Sequence, residues 1–435
     1  MLAQVGGAIV QLVDTFMVGH LGTIELAAVS FASAVFAIGF VTATGALMGA
    51  TPIIGQLASN AKNKPRIAQI FQNLFLLASI VALVATILLL SVYFIMPNMG
   101  QVSEVVQLAR PYYLTMVFSL IPFLLFAAFR QFLEGVGNTS IAMVVTLLSN
   151  VINIILNYVL IFGKWGFPEM GVLGAGVATL ISRILMPIMC LVYFRYRSQW
   201  WSYIKSFNRY LFDKATLKEL WSVGSPIMAH LLMEVGAFAF SGIMIGWLGA
   251  VDLASNQIAQ NMSHILFMVV LGISAATTIR VSYQYGARDY QAMRMASNAS
   301  IHLCLLTNAI MGSLLIIFRT EIASLFSDDP QVVYLGSQLL IFSGIFQLSD
   351  GMQAVGAGIL RGLKDVKIIM YYSFVSYIVI NLPLAYFLGF TCGFGAEGVW
   401  CGFIGSLSVA AILFRLRYLK QFKKIEREFA LEAEG

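Results

Sequence analysis

The chain has 435 residues, of which 59% are hydrophobic and 11% are charged. Soluble domains usually carry about 25% charged residues, so this composition argues against a separate soluble catalytic or nucleic-acid-binding domain. The net charge of +6 does not imply nucleic acid as a partner, because membrane proteins collect Lys and Arg in their cytoplasmic loops. The four cysteines form no CxxC pair, which argues against a disulfide framework or a zinc site.

Loops rich in Gly, Pro, Asn and charge divide the chain into twelve apolar segments, each long enough to cross a bilayer as a helix. The predicted spans are 1–20, 27–56, 67–97, 106–130, 139–163, 172–196, 217–249, 253–285, 292–319, 333–361, 366–389 and 397–419. An even number of spans places both termini on the same side of the membrane. Of the 26 Lys and Arg residues, 22 fall in the linker, the C-terminal tail and the loops after even-numbered spans, which predicts cytoplasmic termini.

The chain contains an internal repeat. "GHLGTIELAAVS" begins at Gly19 and resembles "GWLGAVDLASNQ", which begins 227 positions later at Gly246. At the same offset, "FLEGVGNT" from Phe132 resembles "ILRGLKDV" from Ile359. Six spans per half predict two bundles related by a pseudo-two-fold axis along the membrane normal. The predicted organisation is an N-lobe (1–196), a cytoplasmic linker (197–216), a C-lobe (217–419) and a charged cytoplasmic tail (420–435).

The repeat also allows the beginnings of the two halves to be compared. Met1 corresponds to Met228 at the repeat offset, whereas span 7 is predicted to begin about ten residues before Met228, at Leu217. We therefore expect that the natural start of helix 1 is missing from this sequence.

Three acidic residues lie well inside predicted spans: Asp14 in span 1, Glu234 in span 7 and Asp350 in span 10. A carboxylate at the centre of a bilayer costs about 3 kcal/mol or more, and intramembrane acids are rare and usually mark ion or proton paths. The repeat places Ser241 opposite Asp14 and Gly7 opposite Glu234, so the acids are not symmetric copies. This favours a functional site, in which a proton, Na⁺ or a cationic substrate neutralises the acids. The alternative is that each acid is a structural hydrogen-bond partner of a neighbouring helix.

Other polar residues in the spans have two interpretations each. Asn153 and Asn157 are four positions apart and share one helix face, where they either bind a substrate or hydrogen-bond another helix. The segment 255–264, "SNQIAQNMSH", is too polar for a lipid-facing surface and is expected to line a cavity. His230 lies one turn before the acid of span 7 and either pairs with it or satisfies another neighbour. Arg183 either snorkels towards the membrane surface or pairs with an acid.

Several motifs in order resemble one family. They are "LVDTFMVGHLG" (12–22), "GQLASNAKN" (55–63), "NVINIILNYVLIFG" (150–163), "GVLGAGVAT" (171–179) and "QLSDGMQAVGAGILRGLKD" (347–365). With them the chain resembles the multidrug and toxic compound extrusion (MATE) family, and the acid in span 7 indicates its NorM-type branch. The resemblance covers essentially the whole chain. It implies a monomer of two six-helix bundles in the inner membrane, which exports amphipathic organic cations by alternating access, in antiport against Na⁺ or H⁺.

The resemblance also implies two sets of site residues. In the N-lobe, the set for proton or substrate binding is Asp14, Asn153, Asn157 and Thr179. In the C-lobe, the set for cation coupling is Glu234, Asp350 and Asn261, with the two acids as Na⁺ ligands. No cofactor is implied besides the coupling ion, and whether that ion and the drug share one carboxylate stays open. Some relatives carry a second N-lobe acid where this chain has Asn157, so a relay between two acids is not supported there.

The sequence argues against three other functions. A flippase for a lipid-linked oligosaccharide, from the same superfamily, is the main alternative, but it would be expected to carry a more basic cavity than one with the single Arg183. An intramembrane enzyme would need a catalytic motif, and the sequence contains no GxSxG, HExxH or paired-aspartate motif. A channel is disfavoured by the asymmetric acids and the absence of a repeated pore loop.

Overall fold

The computed structural model describes residues 2–205 and 212–434, and within them the chain forms helices and short connections without β strands. The first half contains α1 (Leu2–Gly19), α2 (Thr23–Leu47), α3 (Ala50–Ala58), α4 (Lys64–Ile95), α5 (Ser103–Gly135), α6 (Thr139–Ile161), α7 (Gly171–Tyr196) and α8 (Ser198–Lys205). The second half contains α9 (Lys214–Gly246), α10 (Ala250–Gly286), α11 (Tyr290–Ile317), α12 (Arg319–Ser324), α13 (Pro330–Gly362), α14 (Val366–Ser373), α15 (Leu382–Tyr386) and α16 (Gly395–Glu434). Arg209, one of the basic residues assigned to the linker, lies outside the described residues.

The predicted membrane spans correspond to observed helices. In the described part of the chain, 11 helical segments are long and apolar enough to cross a membrane. Together with α1 they match the predicted spans one for one, with most ends displaced by a few residues. The all-α, multi-pass membrane fold is therefore confirmed.

Contacts divide the chain into two compact units, Leu2–Met228 and Ala229–Gly435. The division falls inside α9, just after Pro226, which interrupts the backbone hydrogen bonding of that helix. The first turns of α9 therefore pack with the N-terminal unit. The predicted linker 197–216 contains α8 and the start of α9, and α16 continues through the predicted tail as far as Glu434.

The internal repeat is visible as equivalent contacts inside each unit. In the N-terminal unit, Thr51 Oγ1 donates a hydrogen bond to the Gln131 carbonyl at 3.1 Å. In the C-terminal unit, Thr278 Oγ1 donates to the Gly358 carbonyl at 3.0 Å. Each residue lies 227 positions from its counterpart, so the repeat in the sequence is also a repeat of the packing between helices.

Gly135 and Gly362 are a second equivalent pair, at the ends of α5 and α13. A Cβ atom at Gly135 would lie 2.7 Å from the Cβ of Ile54, and one at Gly362 would lie 2.8 Å from the Cβ of Val281. The position of a Cβ atom is set by its backbone, so a new methyl group can be accommodated only if the two helices separate. Glycine at these positions therefore permits close helix packing in each unit.

We expect Gly135→Ala and Gly362→Ala each to destabilise the protein by about 1–3 kcal/mol through overpacking. Gly7→Ala is the control, because a Cβ there meets no atom within 4 Å, and it should be neutral or slightly stabilising. The measurement is the thermal unfolding midpoint of the purified protein in detergent. Midpoints for the two variants equal to that of the control would contradict the packing argument.

Asp213 fixes the beginning of α9. Its carboxylate accepts hydrogen bonds from the backbone N–H groups of Ala215 and Thr216, both at 3.2 Å, and from the Thr216 hydroxyl. Gln69 Nε2 donates to it at 2.8 Å, and the Arg66 guanidinium lies 3.7 Å away. These contacts, above all the hydrogen bond from Thr216, lower the pKa of the Asp213 carboxyl below its ordinary value. Asp213 thus caps α9 and ties it to α4.

We expect Asp213→Ala to lower the thermal midpoint at neutral pH, because the cap of α9 is lost. A folded-state pKa below the unfolded one means that the contribution of Asp213 is complete above the ordinary aspartate range and declines as the pH falls through the lowered value. The difference between wild type and variant should therefore shrink between neutral pH and about pH 3. Asp289→Ala, which removes a cap bonded to Ala292 N at 2.9 Å, should give a smaller loss at neutral pH. A pH-independent difference for Asp213→Ala would argue against this assignment.

Candidate functional site

The predicted N-lobe residues form one chain of hydrogen bonds inside the N-terminal unit. Asn157 Nδ2, on α6, donates to Asp14 Oδ1 on α1 and also to Asn153 Oδ1 at 3.2 Å. Asn153 Nδ2 in turn donates to Thr179 Oγ1, on α7, at 3.4 Å. Asn153 and Asn157 are both buried, whereas Asp14 is part-buried. The structure thus brings the four residues together across three helices.

Small residues on α7 allow this close approach. A Cβ atom at Gly174 would lie 2.7 Å from the carbonyl group of Leu160 on α6, and one at Gly176 would lie 2.0 Å from Thr115 Oγ1 on α5. These glycines belong to the motif "GVLGAGVAT". Because the backbone of α7 can approach α5 and α6 at these points, Thr179 reaches the asparagine pair.

Asn157 can hydrogen-bond with the Asp14 side chain whether that carboxyl group is ionised or protonated. Its Nδ2 donates to the carboxylate, while its Oδ1 is buried and has no hydrogen-bond partner in the parts of the chain that the structure describes. Rotation of the amide by about 180° would present this oxygen as an acceptor to a protonated carboxyl group. The pair is therefore suited to an acid that gains and loses a proton.

Arg183 points into the N-terminal unit. Its Nη1 donates to Ser119 Oγ at 2.8 Å, and its guanidinium lies within electrostatic range of Asp14. Within the described residues the two groups form no ion pair. Pairing with an acid, one of the two interpretations left open by the sequence, is therefore not present as a direct contact, and Ser119 is the hydrogen-bond partner of the guanidinium.

The C-terminal unit holds a second cluster around Glu234 on α9. Glu234 is buried, and its Oε2 lies 3.8 Å from His230 Nε2, one turn earlier. His230 Nδ1 lies 2.7 Å from Ser373 Oγ at the end of α14. His230 therefore does both things that the sequence allowed: it faces the acid and it is held by a neighbouring helix.

Asp350, on α13, belongs to the same cluster. It is 3% exposed and lies within electrostatic range of Glu234. The hydroxyl of Tyr377 lies close enough to both carboxylates to interact with them electrostatically. The two predicted C-lobe acids are thus brought together, with a tyrosine near both.

Tyr377 lies in a π-helical segment, Phe374–Asn381, between α14 and α15. Pro383 follows it and has no N–H to donate to the preceding turn, and its ring crowds the carbonyl one turn earlier. Local widening into a π turn relieves this conflict and re-aims the side chains of the segment, and such turns are frequent at functional sites. This explains how Tyr377 comes to face the acids.

From the sequence, Arg361 is the last residue of predicted span 10 and is counted with the 22 basic residues of the cytoplasmic side, without a role in a site. The structure corrects its placement in the loop: Arg361 lies in the last turn of α13 and is 6% exposed. Its Nη2 donates to Ser274 Oγ at 2.8 Å, and its charge acts on Glu234. The error has a physical origin, because an arginine near the end of a predicted span looks the same in sequence whether it faces water or a buried acid.

Unpaired oxygen atoms lie near the acids. A Cβ atom at Gly351, next to Asp350, would meet Asn308 Nδ2 at 1.9 Å, so the Asn308 side chain packs directly on this turn. Asn308 Oδ1 and Gln347 Oε1 are buried without hydrogen-bond partners among residues 2–205 and 212–434. Carboxylate and amide oxygens are the ligands that hard cations take. Over the same residues, no group of three or more His, Cys, Asp and Glu side chains could hold a metal ion, so a cation here would depend on neutral oxygens as well as the two acids.

Asn261, predicted to join the C-lobe acids, is exposed. No hydrogen bond joins its side chain to either acid in the described part of the chain. Its neighbour Asn256 is buried, and Asn256 Oδ1 accepts a hydrogen bond from Trp400 Nε1 at 3.1 Å. The polar segment 255–264 therefore holds a helix contact as well as exposed amides.

The fold and the buried charge clusters define a multi-pass membrane protein with ionisable side chains inside its helix bundles, an arrangement typical of transporters. Residues 1–159 and 226–387 match the MatE family. The chain therefore belongs to the MatE family, as the resemblance in its motifs predicted.

Relatives cover nearly the full length. The chain is 34% identical over 431 residues to the multidrug resistance protein NorM of Vibrio cholerae, covering 97% of this chain and 93% of that protein. It is 35% identical over 428 residues to NorM of Photobacterium profundum, covering 96% and 92%. An outward-facing multidrug resistance MATE family transporter of the MOP superfamily superimposes with a TM-score of 0.88 at 21% identity, covering 98% and 94% of the two chains. The likeness to NorM proteins agrees with the branch predicted from the sequence.

We expect Arg361→Met to destabilise the protein by about 3 kcal/mol, because it leaves the buried carboxylate of Glu234 without its neighbouring cation. Adding Glu234→Gln to this variant removes that carboxylate and should restore part of the loss. The measurement is the thermal midpoint of both single variants and the double variant in detergent. If the double variant loses the sum of the two single losses, Arg361 and Glu234 are not coupled.

Proposed function

We propose that this protein is a secondary active multidrug exporter, which moves amphipathic organic cations out of the cell in antiport against Na⁺ or H⁺. The observation that carries the proposal is the burial of carboxyl groups in both units, around Asp14 in one and around Glu234 and Asp350 in the other. Full-length similarity to proteins named as multidrug resistance proteins supports the class of substrate. It also supports a transporter over an enzyme, and it gives no support to the flippase alternative.

The proposed mechanism follows from charge. An organic cation enters the protein from the cytoplasm while one or more acids are ionised, and the protein then opens to the opposite side of the membrane. Binding of Na⁺ or H⁺ there neutralises the acids and weakens their attraction for the drug. A ligand drives such a change only through different affinities for the two states, and this difference arises when the binding of drug and of coupling ion depends on the charge of the same acids.

The charges of the C-terminal cluster support one coupling cation at a time. With Glu234 and Asp350 ionised and Arg361 protonated, the cluster carries one net negative charge. One Na⁺ or one proton balances it, and the unpaired oxygens of Asn308 and Gln347 suit a cation without adding charge. We therefore infer that this cluster binds the coupling ion.

The proposed location is the inner membrane, with both termini in the cytoplasm. The asymmetric distribution of Lys and Arg between the two sets of loops supports this orientation. Correction of Arg361 from loop to buried residue removes one member from the cytoplasmic set and leaves the asymmetry in place.

The test is efflux of ethidium or norfloxacin from cells that express the protein, with Na⁺ and pH varied separately. We expect Asp14→Asn, Glu234→Gln and Asp350→Asn to reduce efflux by about tenfold or more, because each removes a charge that the coupling ion or drug must neutralise. Dependence of wild-type efflux on Na⁺ at fixed pH, or on pH at fixed Na⁺, identifies the coupling ion.

Glu104→Gln serves as the matched control, because Glu104 is an exposed acid in the first turn of α5 and should leave efflux unchanged. All variants are compared at equal amounts in the membrane. Normal efflux in the three site variants would refute the roles given to these acids, and absence of drug efflux by the wild type would refute the exporter itself.

A further inference from the structure

Arg183 lies among aromatic rings inside the N-terminal unit. Its guanidinium carbon is 5.5 Å from the ring centroid of Phe36, 5.0 Å from that of Phe40 and 5.3 Å from that of Phe123. Phe36 and Phe40 belong to α2, and Phe123 belongs to α5. We call these three phenylalanines the aromatic cage. A cation within about 6 Å of a ring face is attracted by the quadrupole of the ring.

The hydrogen bonding of Arg183 is incomplete. A guanidinium carries five N–H donors, and the hydrogen bond to Ser119 Oγ at 2.8 Å is the one that the described residues provide. The side chain is part-buried, so the cage is closed on some sides and accessible on others. Most of the stabilisation of the cation at this place therefore comes from the rings, which do not distinguish a guanidinium from another delocalised cation.

The Asp14 carboxylate is a second place at which the Arg183 guanidinium can bind. The two charges interact electrostatically without forming an ion pair. Asp14 receives its hydrogen bond from Asn157, and Tyr112, held by Ser33 at 3.3 Å, is the other titratable group that acts on Arg183. Arg183 lies one helical turn after Thr179, which Asn153 and Asn157 join to Asp14. A change of rotamer of the long side chain therefore carries the guanidinium from the cage towards the carboxylate.

We propose that the aromatic cage is a binding site for a planar or delocalised organic cation, and that Arg183 is its internal occupant. This inference rests on the proposed function. An incoming cation takes the cage, and the displaced Arg183 pairs with ionised Asp14. Protonation of Asp14 removes that partner, Arg183 returns to the cage, and the cation is expelled. Asp14 thus acts on the drug through Arg183, without touching it.

The inference differs from direct competition between the drug and the proton for one carboxylate. In direct competition, neutralising Asp14 weakens drug binding by the same factor whether or not Arg183 is present. With Arg183 as the intermediary, the effect of Asp14 disappears when Arg183 is removed. A thermodynamic cycle of two substitutions distinguishes the two cases.

The experiment measures binding of ethidium to the purified full-length protein in detergent by fluorescence polarisation, at constant pH and salt. We expect Arg183→Met to tighten binding by about tenfold, since coupling between two sites is typically worth 5- to 150-fold, and Asp14→Asn to weaken it by a similar factor. In the double variant, the loss caused by Asp14→Asn should fall below about threefold. An equal loss in both backgrounds overturns the proposal while leaving the exporter intact.

Control variants separate the cage from charge alone. Arg195→Met removes another arginine of α7, whose guanidinium carbon lies 5.0 Å from the ring centroid of Trp201, outside the cage, and should leave ethidium affinity unchanged. Arg183→Lys keeps the charge but not the planar group that stacks on the rings, so its ethidium affinity should lie between those of wild type and Arg183→Met. Phe40→Leu is added to Arg183→Met, or to Arg183→Gln if that variant fails to fold, so that no internal cation competes for the cage, and it should weaken ethidium binding. Unchanged affinity on adding Phe40→Leu overturns the proposal, and failure of wild type and every variant to bind ethidium refutes both the cage and the proposed substrate class.

Discussion

A charge inside a membrane-spanning unit must be stabilised by hydrogen-bonding and charged groups of the protein around it, because the low dielectric of the interior screens it little. This constraint organises both sites of the protein. Asp14 has the amide of Asn157 in contact and the guanidinium of Arg183 at longer range. Glu234 has His230 in contact and Arg361 at longer range. The glycines that bring helices together and the π-helical turn around Tyr377 serve to position these neutralising groups.

The two units share a scaffold but not a site. The paired contacts of Thr51 and Thr278, 227 positions apart, preserve the same helix packing in each unit. At the same offset, Arg361 corresponds to Glu134. Glu134 forms an ion pair with Arg130 at 2.7 Å, whereas Arg361 is buried beside an acid. One helix position therefore carries opposite charges for different purposes, which is possible because packing depends on the small residues around it and not on its charge.

In both units an acid has an arginine near it but not in contact with it, and this separation avoids two unfavourable extremes. A closed ion pair would hold the two charges together and leave neither group available to another ion. A carboxylate without any cation would be too costly to bury. At intermediate separation, a small change of protonation or a small movement of the arginine alters the interaction between the two groups.

The N-lobe set was predicted more completely than the C-lobe set. Asn153 and Asn157 share a helix face, so the single contact of Asn157 with Asp14 places Asn153 in the same chain of hydrogen bonds. In the C-terminal unit, Asn261 on α10 is exposed and Arg361 on α13 is buried. The rotation of a helix about its axis depends on all its neighbours, and a helix that is apolar on every side gives little indication of that rotation.

The sequence by itself determined the number and place of the membrane helices, the repeat and the three buried acids. Each of these follows from the free-energy cost of exposing backbone or charged groups to lipid. A short segment incurs this cost by itself, so the effect can be read from the residues of that segment. Only the tertiary structure decided which groups neutralise the acids. Asp14 and Asn157 are 143 positions apart, and their contact depends on how closely glycine-bearing helices approach and how each is turned.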